Sequence, residues 1–145
     1  IHSIGLFFTI FAITTLLIRP LAGRLSDRFG RPVVYLPALL VAAVSMVIVS
    51  TAVTMPQLAL GAFCFGLGFG SAHASILALA ADRLPVMERG VGMATFTAAF
   101  DLGIVAGSIG FGFLLGFFDF QVLFMICAFI MVAPLIFYFY KYKLK

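Results

Sequence analysis

Two ionisable residues, His73 and Asp101, lie inside long apolar stretches, where an ionisable group is chemically unusual. No charged residue occurs in residues 32–81, which contain His73, and Asp101 follows Arg89 by some twelve residues. On a helix that rises about 1.5 Å per residue, Asp101 lies roughly 18 Å beyond Arg89, near mid-membrane. An acid at this depth costs several kcal/mol unless it is paired, hydrated or neutral. Asp101 is therefore a candidate proton carrier, and His73 is a candidate for contact with a proton or a substrate.

Both residues also have a structural interpretation, in which neither residue carries a proton or contacts a substrate. Asp101 can join helices as a protonated or hydrogen-bonded acid, aided by Thr95 or Thr97. A lone intramembrane histidine such as His73 can be satisfied by a neighbouring carbonyl or a nearby serine. The sequence leaves these alternatives open, together with a His73–Asp101 relay across one helical hairpin.

The distribution of cations predicts the helices that must position these two residues. All nine lysines and arginines fall into three short clusters: Arg19, Arg24, Arg28 and Arg31; Arg83 and Arg89; and Lys141, Lys143 and Lys145. The apolar stretches around these clusters predict five membrane spans, at about residues 3–18, 33–50, 56–81, 90–117 and 120–140. The clusters follow spans one, three and five, so all nine cations lie on one side of the membrane. The positive-inside rule makes that side cytoplasmic, with the carboxyl terminus in the cytoplasm and the chain in the plasma (inner) membrane.

The five spans predict an all-α fold, a polytopic membrane helical bundle, and composition agrees with a membrane protein. The chain is 10% charged and 64% apolar, whereas a soluble domain is about a quarter charged and half apolar. The net charge of +4 does not indicate nucleic-acid binding, because the cations lie where anionic lipid headgroups would meet them. The spans contain no paired carboxylates, metal-ligand cluster or nucleophile–base pair, so we expect no enzyme activity and no cofactor.

Glycines are concentrated in the third and fourth spans. Gly66 and Gly70, and likewise Gly103 and Gly107, have the small-x-x-x-small spacing that lets membrane helices approach closely. We expect these four glycines to pack helices. The sequence does not distinguish static packing from surfaces that slide during a conformational change.

The segment at residues 23–32 reads Gly-Arg-Leu-Ser-Asp-Arg-Phe-Gly-Arg-Pro. It resembles the G-x-L-(A/S)-D-R-x-G-R signature of the major facilitator superfamily, which joins the second and third spans of each six-span half. A second resemblance covers residues 85–116, through Pro85, Arg89, Asp101, Gly103 and Gly107. Together with the span spacing, the resemblance covers essentially the whole chain.

The resemblance favours the carboxyl-terminal half of such a protein, spans eight to twelve. In the family's amino-terminal half, the fourth span usually opens with an arginine inside the membrane. The corresponding segment here, residues 57–63, contains no arginine. We therefore expect a five-span piece that lacks the first helix of its half and does not transport alone.

The resemblance also implies a cytoplasmic gate motif, formed by Gly23, Asp27, Arg28, Gly30, Arg31 and Arg89. We predict that Asp27 is its latch and meets the amino end of the fourth span. Unpaired N–H groups there carry about half a positive charge. The arginines can pair with Asp27 or with lipid phosphates, or they can merely set the topology.

The resemblance implies a secondary active transporter that moves a small organic solute by alternating access. The intramembrane acid favours proton coupling, and the uncharged third span slightly favours efflux of hydrophobic cargo. We expect as partners membrane lipid, a small-molecule substrate of unknown identity and the missing amino-terminal half of the same protein. The alternative is a truncated, non-transporting membrane protein that binds a partner through its exposed helix interface.

Overall fold

The computed structural model describes residues 2–143, and five long α-helices make up most of that range. In chain order they are α1 (His2–Phe29), α2 (Arg31–Ser50), α3 (Met55–Arg83), α4 (Arg89–Leu114) and α5 (Phe120–Lys143). Each of these five helices is long and apolar enough to cross a bilayer. The predicted all-α membrane bundle is therefore confirmed, and its five helices are those of a multi-pass membrane protein. Lys145, in the predicted carboxyl-terminal cation cluster, lies outside the described residues.

The first helix continues well past the end of the first predicted span. The predicted spans leave residues 23–32 in the loop between the first two helices, but residues 23–29 form the last two turns of α1. A helix need not end where the membrane does, because its backbone hydrogen bonds persist in water. Only Gly30 separates α1 from α2, with a φ of 100° that L side chains rarely adopt. Pro32 then lies in the first turn of α2, where its missing N–H costs nothing.

The turn between α2 and α3 follows the capping pattern of the sequence. The side chain of Gln57 accepts hydrogen bonds from the backbone N–H groups of Val53 and Thr54, at 3.0 and 3.2 Å. Pro56 occupies the first turn of α3. These contacts satisfy donors that a helix start leaves unpaired, so α3 begins next to the predicted residue.

Helix α3 is the centre of the bundle and packs against both α1 and α2, while α5 packs against α2. Its glycines make this packing possible. A Cβ built on Gly68 would lie 2.5 Å from the Ala42 nitrogen and 2.7 Å from the Ala38 carbonyl oxygen. On another face of α3, a Cβ on Gly66 or Gly70 would collide with α1. Because these glycines have no side chain, the backbone of α3 can approach the backbones of both α1 and α2 closely.

Helix α4 is set apart from this bundle. None of its residues is buried, and its main contact is with α3. A Cβ added at Gly103 or Gly107 would meet nothing within 4 Å among the described residues. The two glycine pairs predicted to pack helices therefore differ, because the pair in α3 is packed and the pair in α4 is open.

Candidate functional site

Arg31 is the centre of an ion-pair network that joins three helices. Its Nε donates a hydrogen bond to Asp82 Oδ2 at 2.8 Å, and its Nη1 donates to Asp27 and, at 3.2 Å, to the hydroxyl of Ser26. Asp27 lies in the last turn of α1, Arg31 begins α2, and Asp82 lies in the last turn of α3. These four residues, which we call the Arg31 network, connect the three helix ends.

The burial of the network is uneven. Ser26 is buried and the Arg31 side chain is only 18% exposed, whereas the side chains of Asp27 and Asp82 are more than half exposed. Arg31 thus reaches from a packed position toward solvent, where both acids can exchange their partners for water. Ion pairs of exposed acids contribute about 0–1 kcal/mol each, so the network can open at a small energetic cost.

The residues of the predicted gate motif have different surroundings in the structure. Asp27 forms its ion pair with Arg31, which is one of the pairings that the sequence left open. Gly30 provides the turn between helices, whereas nothing lies within 4 Å of a Cβ placed on Gly23. The guanidinium of Arg28 lies 5.6 Å from the ring centroid of Phe29. The predicted contact of Asp27 with the start of α4 stays a prediction.

Asp82 was not among the predicted site residues, although it completes the network. The charges of Arg31 and Arg89 both act on its carboxylate. Arg89 also lies near the end of α3, because its Nε donates a hydrogen bond to the Leu84 carbonyl at 3.4 Å. An acid that follows an uncharged span on the same side of the membrane as Arg31 was the available signal for this residue.

A continuous row of aromatic rings connects α1, α3 and α4. Phe65, Phe69 and His73 recur every fourth residue and therefore lie on one face of α3. Neighbouring centroids along this face are 5.6 and 5.8 Å apart. Phe11 of α1 lies 5.3 Å from Phe65, and Phe100 of α4 lies 4.9 Å from His73. We call these five residues the aromatic row.

His73 is part of this row and is half-buried between rings rather than between polar groups. Phe69 lies nearly parallel to its imidazole and Phe100 meets it edge-on. Ser75 is one of the serines near His73, but its buried hydroxyl has no hydrogen-bond partner in the described chain, so it does not bind His73.

Asp101 follows Phe100 and is exposed on α4. In the described part of the chain it forms no ion pair or hydrogen bond, and no such bond joins it to His73. Thr95 and Thr97 donate to carbonyls of their own helix at 2.9 Å, so neither satisfies Asp101. The structure thus places Asp101 and His73 beside the same phenylalanine without linking them.

This chain is similar to one protein family and to several bacterial proteins. The family model described as Major Facilitator Superfamily matches residues 1–144. Multidrug resistance protein 1 of Bacillus subtilis is 30% identical over 112 residues, which are 77% of this chain and 29% of that protein. The tetracycline resistance protein, class B, of Escherichia coli is 29% identical over 112 residues, 77% of this chain and 28% of that protein. An uncharacterized MFS-type transporter of Mycobacterium tuberculosis is 33% identical over 93 residues, 64% of this chain and 14% of that protein. The chain spans less than a third of the length of each of these relatives.

Proposed function

This chain belongs to the major facilitator superfamily, and from that membership we propose that it forms spans eight to twelve of a secondary active transporter. The whole protein moves a small organic solute across the membrane by alternating access. The family match and the relatives' names support this activity over an enzymatic one.

The observation that carries the proposal is the Arg31 network. It joins the ends of α1, α2 and α3 at the surface where the predicted gate motif lies. An inner gate has to close in one state and open in the other, so its contacts need to be specific and individually weak. Ion pairs between one partly buried arginine and two exposed acids have this combination of properties.

The open face of α4 supports a second part of the proposal. Its glycines at positions 103 and 107 meet nothing among the described residues, and Asp101 has no partner there. In lipid, a small-residue face of this kind favours close approach by another helix. We propose that helices of the amino-terminal half of the same protein cover this face and surround Asp101.

Proton coupling and efflux are the finer points of the proposal. Asp101 is the acid nearest mid-membrane, where an ionisable side chain is costly and marks a functional site, so we propose that it carries the proton. The aromatic row next to it offers stacking surfaces for hydrophobic cargo. Two of the relatives are named for drug resistance, which favours export. The cation-rich ends then face the cytoplasm of a plasma membrane.

The experiment that tests coupling is the substitution Asp101→Asn in the full-length protein. Asparagine keeps the shape of the side chain but carries no titratable proton. We expect pH-gradient-driven transport in everted membrane vesicles to fall at least tenfold, with abundance and insertion unchanged. Asp119→Asn, which removes an acid between α4 and α5, is the matched control and should transport normally. Undiminished transport by Asp101→Asn would remove this residue from the mechanism.

A further inference from the structure

Two cavities adjoin along α1, α2 and α3 near the charged ends of these helices. Their volumes are about 290 and 280 Å³, and Leu25, Val34 and Ser71 line both of them. Because these three residues line both, the two cavities lie side by side, and we call the pair the α1–α2 groove. Apart from Ser71, the side chains that line the first cavity are apolar, and they include Val41 at its far end.

Two arginines lie at the rim of this groove. Arg24 and Arg28 line the second cavity, and since they are four residues apart on α1 they lie one above the other on the same face. Within the described residues neither forms an ion pair. The nearby acids Asp27 and Asp82 are already held by Arg31. The groove therefore has two uncompensated cations at one end and apolar walls beyond them.

The groove runs from this charged end into the apolar belt of the helices. Ile18, which lines its deep end on α1, lies ten residues before Arg28, or roughly 15 Å along the axis. On α2 the lining residues extend from Val33 to Val41, or about 12 Å. An apolar channel of this length that opens at a pair of cations at the membrane surface matches a phospholipid in both shape and charge.

We propose that the α1–α2 groove binds an anionic phospholipid of the leaflet that borders the α1–α2 hairpin. Arg24 and Arg28 hold its phosphate, and one acyl chain lies along Leu25, Val34 and Val41. A soluble phosphate would use the rim and leave the apolar walls exposed, and a protein helix would need no cations at the rim. The proposal requires only that the chain spans a membrane, so it does not depend on transport.

The test uses the purified full-length protein in detergent and native mass spectrometry with added dioleoyl phosphatidylglycerol. Near an anionic surface each basic residue is worth a factor of about five in affinity. The double variant Arg24→Gln/Arg28→Gln should thus retain the lipid at least tenfold less well. Arg83→Gln, which removes a charge near the same surface but outside the groove, should change retention less than twofold. Equal losses in the two variants would overturn the proposal.

A second variant tests the groove without changing any charge. Val41→Trp should fill part of the α1–α2 groove. Because Val41 is 38% exposed, the larger ring does not have to push the helices apart. We expect it to weaken retention of phosphatidylglycerol severalfold, with the melting temperature of the protein unchanged. Excess inorganic phosphate should not displace the lipid. Full retention by Val41→Trp, or displacement by phosphate, would contradict an acyl chain in the groove.

Discussion

Arg31 connects more of this molecule than any other charged residue that the structure describes. Its partners are two carboxylates and a buried hydroxyl, and all three lie on α1 or α3 rather than on its own helix, α2. Its own position depends on Gly30, whose positive φ starts α2 at once after α1. Two residues of the predicted gate motif thus act together in the structure, because Gly30 provides a backbone turn that only glycine adopts easily and this turn places Arg31 between two acids.

Removing Arg31 tests this description at the scale of the residue. Arg31→Gln leaves Asp27 and Asp82 without their shared cation, and we expect it to destabilise the full-length protein by about 1 kcal/mol. The melting temperature should fall by roughly 2 °C. Arg83→Gln removes the same charge without breaking an ion pair in the described chain, so it should leave the midpoint unchanged. Equal midpoints for the two variants would show that the network has no stabilising role.

The sequence predicted Asp27 and Arg31 as site residues but not their third partner, Asp82. The motif itself pointed to the first two. Asp82 lies 51 positions beyond Arg31, and their contact depends on how α3 packs against α1 and α2. That packing in turn depends on which glycine of α3 meets which helix, and local sequence does not encode this choice. The proximity of His73 to Phe100 was hidden for the same reason.

At the scale of the element, α3 determines how the bundle is assembled. Its glycines serve two neighbours, with Gly66 and Gly70 against α1 and Gly68 against α2. A side chain at any of these positions would force two helices apart. The sequence predicted that the first pair packs, whereas the direct backbone contact of Gly68 required the structure.

A methyl group at Gly68 tests the contact between α2 and α3. Gly68→Ala places a Cβ 2.5 Å from the Ala42 nitrogen, and backbone atoms cannot move aside as a flexible side chain can. We expect the free energy of unfolding to fall by about 1–3 kcal/mol. Circular dichroism during an SDS titration should show this as an unfolding midpoint at a lower SDS concentration.

Gly5→Ala is the matched control, because a Cβ at Gly5 on α1 meets nothing within 4 Å in the described chain. Alanine is favoured over glycine inside a helix by about 0.5–1 kcal/mol, so this variant should be neutral or slightly stabilised. A Gly68→Ala protein as stable as Gly5→Ala would contradict the close crossing of α2 and α3.

At the scale of the whole molecule, the order of the helices agrees with the charges of the segments that connect them. Each of the five helices includes a predicted span, although α1 continues past its own span to Phe29, and every arginine except Arg19 lies near an end of α1, α2, α3 or α4. Hydropathy and charge predict membrane helices well, because a helix satisfies all of its backbone hydrogen bonds within one segment. The same properties say little about side-chain neighbours, since lipid and another helix are equally apolar surroundings. For this reason the isolation of α4 was not predictable.

The most direct test of the account is the sidedness of its loops in the full-length protein. Single cysteines are introduced at Met87, between α3 and α4, and at Val53, between α2 and α3, after Cys64 and Cys127 are replaced by alanine. Both positions are at least 90% exposed, so a membrane-impermeant maleimide can reach them. We expect Met87→Cys to be labelled only from the cytoplasm and Val53→Cys only from outside. Labelling of both cysteines from the same side would contradict the proposed topology and the transporter built on it.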